Sequence, residues 1–247
     1  MILAIGATDS SGGAGLAQDR RTAERLDCTL RSAVTGITVQ GTTGVSAISP
    51  APPDILQKQI ETHLTEDHPS AIKIGALCEI SQIGLVRDII CNWKAQNPGT
   101  EVIADPVFRP TMGIPFLDGR AVEAYTGILS AADIITPNRL ELERLSGQAV
   151  SNMDEAEYAA KGLAKDYNLS VIITGGHFCG ERLEEMVVSP QTVQRFEKDR
   201  IHLTKTHGTG CCLSTALAVY IAKGKTLNEA FTLATNFVSR MMSDVAF

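Results

Sequence analysis

Thr206-His207-Gly208-Thr209-Gly210-Cys211-Cys212, running into Leu213-Ser214-Thr215-Ala216-Leu217-Ala218-Val219-Tyr220, is the stretch whose reading decides the fold. Two glycines in three positions let a backbone fold tightly enough to aim successive N–H groups at one point. Behind them, Leu213, Ala216, Leu217 and Tyr220 recur at helical spacing. A glycine-rich turn feeding a helix start is a ready anion site, because the first helical N–H groups have no partner inside the helix. The competing reading is plain architecture, a tight turn ahead of a buried helix. Cys211 stands at the positive end of that helix, where a thiol is expected to ionise more easily than in water.

Outward from this loop, short apolar runs alternate with longer helical patterns. Residues 2–7 read as a first strand, followed by the polar Thr8-Asp9-Ser10-Ser11-Gly12-Gly13-Ala14-Gly15. Residues 16–26 carry Asp19, Arg20, Arg21, Glu24 and Arg25, which suits a partly solvated helix. Residues 32–40, 71–74, 102–104, 133–135 and 171–173 read as further strands. Helical patterns cover residues 54–64, 80–93, 122–129, 139–145, 154–166 and 227–241. Residues 184–188 and 192–196 suggest a hairpin about Ser189-Pro190-Gln191. Such alternation predicts right-handed βαβ units, and so a three-layer α/β/α fold with a mostly parallel central sheet. No linker, repeat or low-complexity segment interrupts residues 1–247, which read as one domain.

Bulk properties narrow the partners. A 247-residue chain can bury a sizeable core, and 44% hydrophobic with 20% charged residues is an ordinary soluble composition. A net charge of −6 argues against a nucleic-acid partner. The apolar runs fall well short of the roughly 18 residues a membrane span needs. The N-terminal residues lack the basic start and cleavage site of a signal peptide, so a cytoplasmic chain with reduced thiols is expected. The six cysteines form no C-x-x-C pair, and adjacent Cys211 and Cys212 do not suit a tetrahedral zinc site.

Polar and glycine residues gather at the predicted strand carboxyl ends, where open α/β sheets bind ligands. Residues 8–15 form a loop that is neither a P-loop nor a G-x-G-x-x-G turn. It reads either as a loose turn or as a close backbone approach to a small ligand, with Asp19 one helical turn beyond. Asn138 and Glu141 share one helix face and suit either a helix cap or an oxygen-rich corner for hydrated magnesium. Together with the Cys211 loop, these elements supply what a phosphoryl-transfer site needs: backbone donors, a metal corner and a base.

The motifs Thr8-Asp9-Ser10-Ser11-Gly12-Gly13-Ala14-Gly15, Gln40-Gly41-Thr42, Lys73-Ile74-Gly75, Asp105-Pro106-Val107, Thr136-Pro137-Asn138 with Glu141, Gly175-Gly176-His177 and His207-Gly208-Thr209-Gly210-Cys211 come in order along the chain. In that order and spacing the chain resembles the hydroxymethylpyrimidine/phosphomethylpyrimidine kinases, thiamine-pathway members of the ribokinase-like superfamily. The resemblance implies a ribokinase-like fold and ATP- and Mg2+-dependent phosphorylation of 4-amino-5-hydroxymethyl-2-methylpyrimidine and of its monophosphate. It implies that Gln40 binds the aminopyrimidine, with Asp19, Ala76 and Val107 around the same pocket. Gly208, Thr209 and Gly210 would form the anion hole, with Cys211 as base. Asn138, Thr174, Gly176 and His207 would meet the nucleotide and its phosphates, and Glu141 the magnesium. Relatives of this type are often homodimers.

The chain departs from the family pattern at several points. Thr174 stands where a lysine usually precedes Gly-Gly-His, Ala76 replaces a pocket methionine, and the flap reads Phe108-Arg109-Pro110-Thr111-Met112-Gly113. Arg109 is a candidate replacement for the absent lysine. These changes keep two other readings open, a pyridoxal-type kinase and a non-catalytic pyrimidine binder.

Overall fold

The computed structural model describes residues 1–175, 182–199 and 207–243. Thr206, Gly176, His177 and Cys179 lie outside the described residues. Among those described, nine strands form one sheet in the order β3-β2-β1-β4-β5-β6-β7-β8-β9. The strands are β1 Ile2–Thr8, β2 Leu30–Gly41, β3 Gly44–Pro50, β4 Ala71–Ile74, β5 Glu101–Ala104, β6 Ile134–Ile135, β7 Ser170–Ile173, β8 Arg182–Val188 and β9 Val193–Asp199. The six strands β2, β1, β4, β5, β6 and β7 run parallel, and antiparallel strands complete both edges. This is the α/β arrangement with a mostly parallel sheet that the alternation predicts.

Helices cover both faces because the strand side chains alternate. Leu3, Ile5, Ile72, Ile74, Val102 and Ala104 join one apolar layer with α2 (Pro53–Asp67), α3 (Ile80–Gln96) and α7 (Met153–Tyr167). Ile2, Ala4, Ala71 and Ile103 point the other way, against α1 (Gly15–Arg25), α8 (Thr209–Ala222) and α9 (Leu227–Ser243). The short helices α4 (Arg120–Ala124) and α5 (Thr126–Leu129), with α6 (Arg139–Ser146), close the first layer. Helix α8 is buried on every side from Cys212 to Val219, as befits a helix packed between the sheet and two neighbours. Full burial of each such large aliphatic side chain contributes about 1.5–3 kcal/mol.

Two expectations change. Strand β3 carries no sequence signal: Gly-Val-Ser-Ala-Ile-Ser-Pro buries only Val45, so no alternation marks it. It forms by pairing antiparallel to β2 and then receives the flap, where Val45 N–H bonds Met112 O at 3.0 Å and Ile114 N–H bonds Val45 O at 2.9 Å. In α1, Arg20, Arg21, Glu24 and Arg25 are exposed as expected, but Asp19 is fully buried. Among the described residues no helix is long and apolar enough to cross a membrane.

Candidate active site

A cavity of about 1020 Å3 opens at the carboxyl ends of the parallel strands. Gly208, Thr209, Gly210 and Cys211 lie along it, together with Gln40, Ala76, Val107, Asn138, Glu141, Thr174 and His207. Gly208 precedes α8 in the left-handed conformation, φ 81°, and any Cβ there would strike the Gly13 carbonyl. The turn ahead of α8 therefore presses directly on the first glycine-rich loop. That contact needs glycine for both backbone angle and space. The first turn of α8 thus lies at the cavity, and a helix N-terminus is an end at which an anion is favoured.

Beneath that helix start lies a buried polar floor. Alternation along β4 turns Lys73 toward α1 and α8, where its Nζ donates to Asp19 Oδ1 at 3.1 Å and Oδ2 at 3.0 Å. Thr215 Oγ1, one turn beyond Cys211, donates to Asp19 Oδ1 at 2.7 Å. Both oxygens of Asp19 are thus engaged within the protein. Asp19 still borders the cavity, but as the counter-ion of Lys73 rather than as the solvated polar contact suggested by its helix. Burial works against the Lys73 charge, but Asp19 together with the nearby Cys211 and Asp105 outweighs it and holds the ammonium above the usual lysine range. At the end of β5, Asp105 accepts from Ser214 Oγ at 3.1 Å, and burial raises its carboxyl.

Cys211 is half-buried above this floor. Burial pushes its thiol up to about 12, and the opposing pull of Lys73 is insufficient. The expectation of an easily ionised thiol is therefore reversed: removal from water outweighs the helix N-terminus. Cys212 points into the core and is fully buried.

On the far wall, α6 begins with a reciprocal cap. Glu141 N–H donates to Asn138 Oδ1 at 3.0 Å, and Asn138 N–H donates to Glu141 Oε2 at 2.8 Å. The capping reading of this pair holds, and the pair also faces the cavity. Burial first, then the neighbouring Asp105, lifts the Glu141 carboxyl to about 8. Tyr125 Oη, fully buried and subject to the charges of both acids, has no hydrogen-bond partner among the described residues.

At the rim, Gln40 meets His207, and His207 meets Asp9. Arg109 and Arg144 also line the cavity. Lys73, Asp105, Ser214, Thr215 and Asp9 are polar residues of the site to which the sequence assigned no individual role. A lysine inside the four-residue apolar strand Ala-Ile-Lys-Ile was the available signal, since a charge there must be buried and paired.

Comparison with known proteins places this geometry. Residues 9–246 match the phosphomethylpyrimidine kinase family. The chain is 34% identical to a hydroxymethylpyrimidine/phosphomethylpyrimidine kinase of Haemophilus influenzae, over 98% of this chain and 90% of that protein. It is equally 34% identical to the thiamine biosynthesis multifunctional protein ThiED of Corynebacterium efficiens, over 98% of this chain but only 32% of that longer protein. Pyridoxal kinase from Staphylococcus aureus in complex with ADP superposes with a TM-score of 0.86 at 29% identity, covering 98% of this chain and 87% of that one. With the family match spanning residues 9–246 and 34% identity to a relative covered over 90% of its length, the chain belongs to the phosphomethylpyrimidine kinase family.

Proposed function

We propose that this chain, working as one cytoplasmic domain in thiamine biosynthesis, transfers the γ-phosphoryl group of ATP to 4-amino-5-hydroxymethyl-2-methylpyrimidine and then to its monophosphate. The observation that carries this reading is the shared cavity. The α8 N-terminus with Cys211, the Gln40 amide and the Asn138–Glu141 corner all face one space. ATP use is supported by the ADP complex of the pyridoxal kinase that this chain resembles.

In the proposed reaction the hydroxymethyl oxygen bonds to the γ-phosphorus as the bridging bond to ADP breaks. The N–H groups of Gly208, Thr209, Gly210 and Cys211 hold the charge that spreads over the equatorial oxygens, which is the main catalytic contribution in such loose transfers. The hydroxyl proton passes to Cys211 Sγ. Because burial holds that thiol near 12, only a small thiolate fraction is present at neutral pH, and the Lys73 ammonium below it is the group that favours this form.

The wall at α6 suits Mg2+. Glu141 Oε1 is left over from the cap, and Asp105, which also lines the cavity, lies close enough to raise the Glu141 carboxyl. These are hard oxygen donors, the kind that hold a hydrated Mg2+ beside phosphates. Bound there, the ion would neutralise charge on the nucleotide phosphates.

A second reading, phosphorylation of pyridoxal, is favoured by the superposition on the S. aureus enzyme. Incubation with ATP-Mg and each of three acceptors tests both readings. Turnover of the pyrimidine alcohol and its monophosphate supports the first, and turnover of pyridoxal alone replaces it with the second. Binding of the pyrimidine without transfer to any acceptor would leave a binder and sink both.

A further inference from the structure

Three side chains from distant parts of the chain converge on one atom at the cavity rim. His207 Nε2 lies 3.1 Å from Asp9 Oδ2 and 3.2 Å from the side-chain amide of Gln40. An imidazole nitrogen either donates or accepts a hydrogen bond. Asp9 decides which. Its Oδ1 takes the Ser11 N–H at 2.8 Å and the Ser11 hydroxyl at 2.7 Å, and its Oδ2 takes the Ala14 N–H at 2.7 Å. Burial raises that carboxyl, but these bonds together with His207 outweigh it and hold it below its usual range. Asp9 is therefore a carboxylate, which only accepts, and Nε2 must carry a hydrogen.

A protonated Nε2 constrains Gln40 in turn. The amide atom facing it has to be the carbonyl oxygen, since the two ends of an amide are told apart by their hydrogen bonds. The residue is also held by its backbone. Ser10 Oγ donates to Gln40 O at 3.0 Å and accepts the Gln40 N–H at 2.8 Å. Among the described residues the Gln40 side chain has no further hydrogen bond, and it lines the cavity.

We propose that Asp9 and His207 orient Gln40 so that its NH2 group faces the ligand, selecting substrates with an unprotonated ring nitrogen at that point. The inference rests on the function proposed above only for the identity of the ring. It adds which feature of the ring is read, and through which residues. His207 and Asp9 are positioning residues in this scheme.

Two measurements test it, the first without ligand. In long-range 1H–15N spectra of the labelled protein, His207 should carry a proton on Nε2. A His207 with a bare Nε2 and a protonated Nδ1 overturns the proposal. The second compares the pyrimidine alcohol with its analogue in which C–H replaces the ring nitrogen beside the amino group, by calorimetric binding and by kcat/KM. The unaltered protein should prefer the parent by at least about 10-fold, because the analogue leaves a fixed donor unpaired. His207→Ala frees the amide to turn away from the C–H and should narrow the preference to under about 3-fold. Simple loosening of the loop would weaken both ligands alike and preserve the ratio, which overturns the proposal, as does a missing preference in the unaltered protein. Failure of the parent itself to bind counts against the proposed substrate, and the NMR result then decides the orientation alone.

Discussion

The two walls of the cavity are built on opposite principles. At α6, Asn138 and Glu141 are three residues apart and bond each other's backbone, so their geometry is local. Beneath α8, Thr215 and Asp19 are 196 residues apart and Ser214 and Asp105 are 109 apart, and Lys73 joins from a third element. Loss of one partner from a local cap costs about one backbone hydrogen bond. Loss of one from a buried network costs more, because an abandoned charge there has no solvent to turn to. The cavity thus combines a forgiving wall at α6 with an unforgiving floor beneath Cys211.

The largest expected effect breaks the floor. Lys73→Met leaves Asp19 buried without its cation and should lower unfolding free energy by about 3–5 kcal/mol in urea titrations. Adding Asp19→Asn to that variant should recover most of the loss, since both charges are then gone. A single-variant cost under about 1 kcal/mol would mean that water screens the pair.

Next comes the group above the floor. Cys211→Ala should reduce kcat at least about 100-fold, the low end for a positioned base. The neighbouring Cys212→Ala should act on stability instead. Acting as a base, Cys211 must be deprotonated, and a thiol pushed up to about 12 is still titrating far above neutrality. For the unaltered enzyme, kcat/KM should therefore keep rising with pH beyond the Glu141 titration near 8, while the Cys211→Ala profile levels off once Glu141 is ionised. A plateau below pH 8 would show that the thiol is already ionised.

A smaller change is expected at the local wall. Asn138→Ala removes one half of the cap and should cost about 1 kcal/mol by thermal or urea unfolding. A loss as large as that of Lys73→Met would erase the contrast between the two walls. Smallest of all is Thr174→Lys, which restores the cation usual at this point of the family pattern. It should lower the apparent KM for ATP by about 2- to 5-fold, the scale of a partly solvated ion pair. No change would indicate that Arg109 or Arg144, which line the same cavity, already meets the phosphates.

The contrast also explains what could be read in advance. The cap at α6 was legible because Asn-x-x-Glu is an i,i+3 pattern on one helix face. The glycine turn before α8 was legible because tight turns leave a local residue signature. Asp19 was misread because its neighbours Arg20, Arg21 and Glu24 are exposed, and nothing local reveals that one face of α1 is closed off by Lys73 and Thr215. The Cys211 thiol was misread for a related reason. A helix N-terminus is visible in sequence, whereas the burial that outweighs it is not. Strand β3 went unseen because its residues bury almost nothing, and it owes its form to pairing with β2.

By itself, the amino-acid sequence determined the alternation of strands and helices, the parallel core of the sheet, the glycine turn before α8 and the reciprocal cap. All of these arise from interactions within a few residues or from the period of apolar side chains. Only the tertiary structure decided the charge state of the site, namely the Lys73–Asp19 pair, the reluctant thiol of Cys211 and the Asp9–His207–Gln40 chain. The reason is physical: desolvation and ion pairing depend on what the fold brings within a few ångströms, and no spacing along the chain encodes that distance.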